Sequence, residues 1–433
     1  MFALKNLKIN SNAHLEIGGC DTTELAKEYG TPLYVMDEEQ IRNNMRAYTN
    51  ALDCCYNNRG MAFYASKALS CVGMYKIAAE EGLGVDVVSG GELYTALKAG
   101  FDPQKICFHG NNKSYDELNM AVKENVGIIC ADSSYELDIL NDLGKEYNKK
   151  IKVMFRIKPG VEAHTHEFIS TGQIDSKFGF SIENGEADEI AKYALTLENI
   201  EVKGIHCHIG SQIFDLEPFK LAAEVMTKFY IRLKKVLGLP LEILDLGGGF
   251  GISYVKEDKP IEYRKYIEAV SCVVEKICTD ANISLPQIYM EPGRSIVGDA
   301  GITLYTIGNI KDIKDVRKYV SVDGGMADNP RYILYEAEYD GILANRANDK
   351  PEEIVTVCGK CCESGDIIIK NAHLPKAKPG DILAVMSTGA YNYSMSSNYN
   401  RLPRPALVTV NNGKSKIMIK RETYEDIIKN DVL

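Results

Sequence analysis

The chain has 433 residues, 45% of them hydrophobic and 25% charged, with a formal charge of −10. This composition excludes a disordered chain, a collagen and a coiled coil, and the length exceeds the roughly 250–300 residues at which one core stops growing, so two domains are expected. Acidic residues outnumber basic ones, 60 to 50, which argues against a nucleic-acid or anionic-membrane partner.

The opening Met-Phe-Ala-Leu-Lys-Asn-Leu-Lys has no sustained apolar stretch of the secretory kind. No apolar run reaches the roughly 18 residues of a membrane span. A cytoplasmic protein is expected, with its twelve cysteines as free thiols. Cys358-Gly-Lys-Cys361 is the one CxxC, and no second pair at zinc-site spacing follows it, so no metal is expected.

Leu33–Asp37 is a first strand-like run. Eight β-rich runs then follow at 61–66, 84–89, 105–109, 127–132, 152–157, 202–209, 241–246 and 287–291. Helical patterns lie between the early ones, at 74–82, 91–99, 115–125 and 134–145. Strands alternating with helices imply parallel strands joined by crossovers. Eight such units fit a TIM-like (β/α)8 barrel, with a doubly wound open sheet as the rival. The long interval 159–199 is expected to hold an insertion over the barrel mouth.

After about residue 297 the texture changes. Runs at 302–307, 318–322, 353–358, 366–369 and 381–386 are separated by short turns, and 406–410 and 416–420 flank Asn411-Asn412-Gly413, a hairpin signal. The segment 421–433 has a helical pattern. The expected architecture is an α/β barrel over 30–296 and a mostly β second domain built from 1–29 and 297–433.

Barrel enzymes place their chemistry at the C-terminal ends of the strands. In order, the runs end at Lys67, Ser89, His109, Asp132, Arg156, His208, the cluster Gly247, Gly248 and Gly249, and Glu291 with Arg294. The glycines let backbone N–H groups approach an anion, and a phosphate site after strands seven and eight recurs in barrels. A tight turn is the bland alternative, and a dinucleotide loop would belong after the first strand. Lys67 ends an apolar run, where desolvation favours a neutral, nucleophilic amine. A lysine nucleophile beside a phosphate site suggests a Schiff base to a phosphorylated aldehyde, with pyridoxal phosphate the obvious candidate. His206 and His208, two apart on one strand, face the same side. They suit a metal pair or an imidazole stacked on a cofactor ring, and the lack of an evident carboxylate set favours stacking.

Nine motifs in order carry a resemblance over nearly the whole chain. They are FYASKA at Lys67, GVDVVSGGEL at 84–93, HGNNKS at 109–114, GIHCHIGSQ at 204–212, LDLGGGFGI at 244–252, EPGRSIV at 291–297, VDGGM at 322–326, CESGD at 362–366 and GAYNYSM at 389–395. The sequence resembles the diaminopimelate decarboxylase family, in the alanine-racemase-like (fold type III) group of pyridoxal-phosphate enzymes that includes ornithine and arginine decarboxylases. Leu69 and Tyr332 depart from the commoner forms of these motifs.

The resemblance implies decarboxylation of meso-2,6-diaminopimelate to L-lysine, the last step of lysine biosynthesis. It implies that Lys67 holds pyridoxal phosphate, Glu291 bonds the pyridine nitrogen and His208 stacks on the ring. Ser211, Gly247, Gly248, Gly249, Glu291, Pro292, Gly293, Arg294 and Tyr391 would surround the phosphate. Cys362 would donate the final proton. Arg294, Arg331, Tyr335, Glu363 and Tyr391 would grip the distal end of a diamino dicarboxylic acid. Cys362 and Glu363 would serve the partner subunit, which implies a homodimer with shared active sites. The rival readings are a decarboxylase of the same fold acting on ornithine, arginine or a carboxy-polyamine, and a non-catalytic homologue that binds a protein.

Overall fold

A computed structural model describes residue 4, residues 6–161 and residues 176–432. The eight runs are the strands Gly60–Ala65, Gly84–Val87, Ile106–Phe108, Ile128–Ala131, Ile151–Lys158, Ile200–His206, Ile243–Asp245 and Gln287–Met290, called one to eight here. Each pairs in parallel with the next, and strand eight pairs in parallel with strand one through Ile288–Gly60, Tyr289–Met61 and Met290–Ala62. This last pairing closes the barrel and removes the open-sheet alternative. The short strand segments are apolar because both faces are covered.

The helices after strands two, three and four begin the same way. Ser89, Ser114 and Ser133 each accept the N–H of a glutamate three residues on, Glu92, Glu117 and Glu136. Each cap satisfies an N–H that the first turn leaves unpaired and contributes about 1 kcal/mol. The helices Gly90–Lys98, Tyr115–Lys123 and Ser134–Glu146 therefore start just beyond the strand ends, which is where side chains can face the barrel's end. Of the insertion expected over 159–199, residues 162–175 lie outside the described residues. The remainder contributes the strand Phe180–Ser181, parallel to strand five, and the helix Glu186–Ala194.

The chain divides into two compact units. One comprises Met45–Gly251 and Pro260–Gly293, and carries the barrel; the other comprises Met1–Asn44, Ile252–Lys259 and Arg294–Leu433. In the second unit the long strand Gly301–Ile313 pairs antiparallel with Arg317–Val322, Ile382–Val385 and Leu33–Asp37. Leu33–Asp37 also pairs in parallel with Ala406–Asn411. The sequence reading grouped this run with the barrel; its backbone partners lie in the β-rich sheet instead. Its buried residues Leu33 and Val35 pack with Leu15, Ile17, Ile302, Leu304 and Val408. The hairpin Ala406–Asn411 to Lys414–Ile419 turns through Asn412 and Gly413, both at positive φ. The expected terminal helix is short, Tyr424–Ile428, capped reciprocally by Thr423 and Asp426.

All twelve cysteines are free. Burial raises the Cys358 thiol and pushes Cys361 up to about 11, so neither side of the CxxC is a ready thiolate. Among the described residues, no helix is long and apolar enough to cross a membrane.

Candidate active site

Inside the barrel, Phe63, Cys107, Ile128, Cys130, Met154 and Ile243 form an apolar plug. Strand alternation carries the same inward face from Cys107 to His109. His109 Nε2 lies 2.6 Å from one carboxylate oxygen of Glu291, and His206 Nε2 lies 3.1 Å from the other. The two imidazoles meet edge to face, with centroids 4.6 Å apart. All three side chains are buried.

Burial penalises every charge in this group, so charge survives only where partners outweigh it. Burial would raise the Glu291 carboxyl, but His109 and His206 outweigh it and hold the group well below the usual carboxylate range. Burial would lower His206, but Glu291, Cys130 and Asp245 raise it to about 9. His109 is likewise raised well above its ordinary value, against burial, by Cys107, Glu291 and Asp86. The Asp86 and Asp245 carboxyls move the other way, pushed up chiefly by burial. One carboxylate is thus held ionised among two that are driven toward neutrality.

The sequence reading found no carboxylates to complete a set around His206; the fold supplies Asp245 and Glu291. Ligand atoms of His109, His206, Asp245 and Glu291 lie within 4.8 Å of one another. The same close spacing is what draws the imidazoles and the Glu291 carboxylate into ion-pair distance.

His208 differs from its neighbour. It is half-buried, and its Nδ1 accepts the Gly248 N–H at 3.3 Å. Burial, Lys67 and Arg156 hold it well below the usual histidine range, so it presents a flat, neutral ring. Lys67 sits in the turn Ser66–Ala68 directly after strand one, half-buried. Its charge acts on Asp86, Glu92 and His208. The Ala65 N–H donates to the Pro292 carbonyl at 3.0 Å, which ties the lysine-bearing turn to the segment after strand eight.

The glycines after strand seven are required by close backbone approach. The Glu291 N–H donates to the Gly247 carbonyl at 2.8 Å. A Cβ at Gly248 would stand 2.2 Å from the Glu291 carbonyl, and one at Gly249 (φ +115) would stand 2.6 Å from the Gly210 carbonyl. The loops that leave strands six, seven and eight, with Ser211, Gly247–Gly249 and Glu291–Gly293, are therefore backbone-packed on one another.

A second constellation lies in the β-rich unit. Arg294 Nη1 donates to the Tyr254 hydroxyl, and Arg331 Nη1 donates to the Tyr339 hydroxyl at 3.0 Å. The Arg331 guanidinium also stacks over the Tyr254 ring, 4.9 Å from its centroid, and Arg294 stacks over Tyr391 at the same distance. Arg294, Arg331, Tyr254 and Tyr339 are buried. Burial would raise the Tyr254 phenol, but Arg294 and Arg331 outweigh it and lower it. Tyr335 closes the short helix Arg331–Tyr335. Cys362 and Glu363 are exposed, on a loop where the Cys362 N–H donates to Asn400 Oδ1 at 2.6 Å. The loop is fixed by Asp366, which accepts the N–H groups of Met326 and Cys361 at 2.6 and 2.7 Å.

Sequence reasoning placed His109 at a strand end and weighed His206 as a metal ligand or ring-stacking partner, without pairing either with Glu291; it gave no role to Cys130, Asp86 or Asp245, nor to Tyr254 and Tyr339. Asp86 and Asp245 did carry a signal, a carboxylate inside an apolar strand run. Tyr254 and Tyr339 carried none.

Residues 38–298 match the family described as pyridoxal-dependent decarboxylase, pyridoxal binding domain. The chain is 50% identical over 432 residues to a diaminopimelate decarboxylase of Bacillus subtilis, covering 100% of this chain and 98% of the relative. It is 52% identical over 415 residues to one of Bacillus methanolicus, covering 96% of each. Among solved structures, the diaminopimelate decarboxylase from M. jannaschii in complex with L-lysine superposes with a TM-score of 0.93 at 37% identity, covering 100% of this chain and 99% of that one.

Proposed function

The chain belongs to the diaminopimelate decarboxylase family of pyridoxal-dependent decarboxylases, and from that membership we propose that it converts meso-2,6-diaminopimelate to L-lysine and carbon dioxide. The observation that carries the reading is Glu291, a buried carboxylate kept ionised at the barrel's end by two imidazoles. An anion there is the partner a protonated ring nitrogen needs; an arginine would disfavour it.

The residues fit pyridoxal phosphate. A lysine amine, a neutral flat imidazole, an ionised carboxylate and a glycine loop that admits no Cβ lie on successive strand ends of one barrel. When bound, the cofactor supplies an aldehyde for the substrate amine and a cationic ring that accepts the electron pair left by the departing carboxylate. Lys67 would hold it, Glu291 would face its ring nitrogen, and His208 would cover its face. Ser211, Gly247, Gly248, Gly249, Pro292, Gly293, Arg294 and Tyr391 would hold its phosphate.

Substrate choice is assigned to the distal end of the molecule. A guanidinium fork matches a carboxylate bidentately, and a carboxylate matches an ammonium. Arg294, Arg331, Tyr335 and Tyr391 would grip the distal carboxylate, and Glu363 the distal amine. Cys362 would supply the proton that replaces the lost carboxylate. The exposure of Cys362 and Glu363 on the single chain supports a homodimer in which these two residues serve the site of the other subunit. The acidic composition, with no helix long and apolar enough to cross a membrane among the described residues, supports a cytoplasmic enzyme.

Carbon dioxide release from a panel of amino acids with added cofactor tests the reading. Turnover of meso-diaminopimelate, with ornithine, arginine and carboxy-polyamines poor substrates, is expected. Preference for one of those others would transfer the assignment to it. No turnover of any substrate by cofactor-loaded protein would favour a non-catalytic homologue.

A further inference from the structure

Nothing in the family assignment gives a task to the two histidines behind Glu291. We propose that His109 and His206 act as a positioning clamp, one imidazole on each carboxylate oxygen, that fixes Glu291 in a single orientation and keeps it anionic toward the cofactor's ring nitrogen. The inference rests on the reading of Glu291 as that nitrogen's partner.

The geometry carries the argument. A carboxylate buried alone takes up a proton, and a protonated Glu291 could not hold a ring nitrogen in its cationic form. Two imidazoles at 2.6 and 3.1 Å reverse that outcome. They come from strands three and six and reach an acceptor just past strand eight, so the clamp exists only in the closed barrel. Each ring is braced. His109 Nε2 also lies 2.9 Å from Cys107 Sγ, and the edge-to-face contact fixes the rings against each other. Cys130, brought down to about 7 against burial by both histidines, faces the pair from strand four. Asp86 faces it from strand two and Asp245 from strand seven, while Lys67 acts on Asp86 from beyond strand one. Packing alone would be satisfied by two apolar residues of similar size; it does not call for His206 Nε2 hydrogen-bonded to one oxygen of a buried carboxylate and His109 Nε2 within ion-pair distance of the other.

The clamp is tested by nitrogen NMR of the holoenzyme labelled in its seven histidines. At about pH 8, where an ordinary histidine is neutral, at least two of them should remain doubly protonated. Fewer than two overturns the proposal, and this measurement needs no variant. His109→Gln and His206→Gln should each remove one of those signals. With cofactor content unchanged, each should lower kcat by about tenfold or more with KM for substrate altered less than about threefold. Wild-type kcat in both folded variants overturns it as well. The histidine signals are read without substrate. Failure to turn over diaminopimelate would therefore leave them in place, and their absence from an active enzyme would sink the clamp alone.

Discussion

Arg331 donates to the hydroxyl of Tyr339 at 3.0 Å, and among the described residues this buried guanidinium has no carboxylate partner. Its aromatic neighbours are Tyr339 and Tyr254, with Tyr254 beneath its plane. A guanidinium held by phenols is oriented yet still free to take a carboxylate fork.

Arg331→Ala should therefore raise KM for diaminopimelate by at least about tenfold while cofactor content stays at the wild-type level. It should also cost on the order of 1–3 kcal/mol of stability, because the Tyr339 and Tyr254 hydroxyls lose a buried partner. Steady-state kinetics, cofactor absorbance and urea titration check the three statements, and an unchanged KM would remove the distal-carboxylate role.

Gly248→Ala places a methyl 2.2 Å from the Glu291 carbonyl, a backbone atom that cannot swing away. The loops after strands seven and eight must separate, at a cost of about 1–3 kcal/mol. Cofactor affinity is expected to fall by about tenfold or more, measured by titrating apoprotein with pyridoxal phosphate. Gly82→Ala gives the contrast, since nothing lies within 4 Å of a Cβ there and only its positive φ opposes the change.

The pH dependence of stability has a definite sign. His206 is raised in the fold to about 9 from an ordinary 6.5. Its protonation therefore stabilises the fold fully below pH 6.5, progressively less as pH rises, and no longer above about 9. Urea midpoints of the wild type should fall across this window, by on the order of 1–3 kcal/mol in unfolding free energy. His206→Gln should flatten the profile there. An equal slope in both proteins would assign the loss to other groups.

Shared active sites predict complementation. Lys67→Ala and Cys362→Ala proteins, each inactive alone, should regain up to about a quarter of wild-type activity when mixed under conditions of proven subunit exchange. No recovery would place Cys362 in the site of its own chain.

The barrel was legible because each strand reads as a short apolar run and the early crossovers as helices with their own periodicity. The strand ends also located Lys67, His208, the glycine loop and Glu291, since a polar residue closing an apolar run is visible locally. Leu33–Asp37 was misplaced because its apolar pattern is the same in either sheet, and only its partners in Gly301–Ile313 and Ala406–Asn411 distinguish them. The clamp was illegible for a related reason. His109, Cys130, His206, Asp245 and Glu291 come from five strands, and closure of the barrel alone brings them together. Tyr254 and Tyr339 read as ordinary aromatics until two guanidiniums are found against them.

The central claim is that Lys67 is the amine that holds the cofactor. Borohydride reduction of the holoprotein followed by peptide mapping tests it most directly. The account predicts a single pyridoxyl group fixed on Lys67 and none in Lys67→Ala. A pyridoxyl group on any other lysine, with Lys67 unmodified, would contradict it.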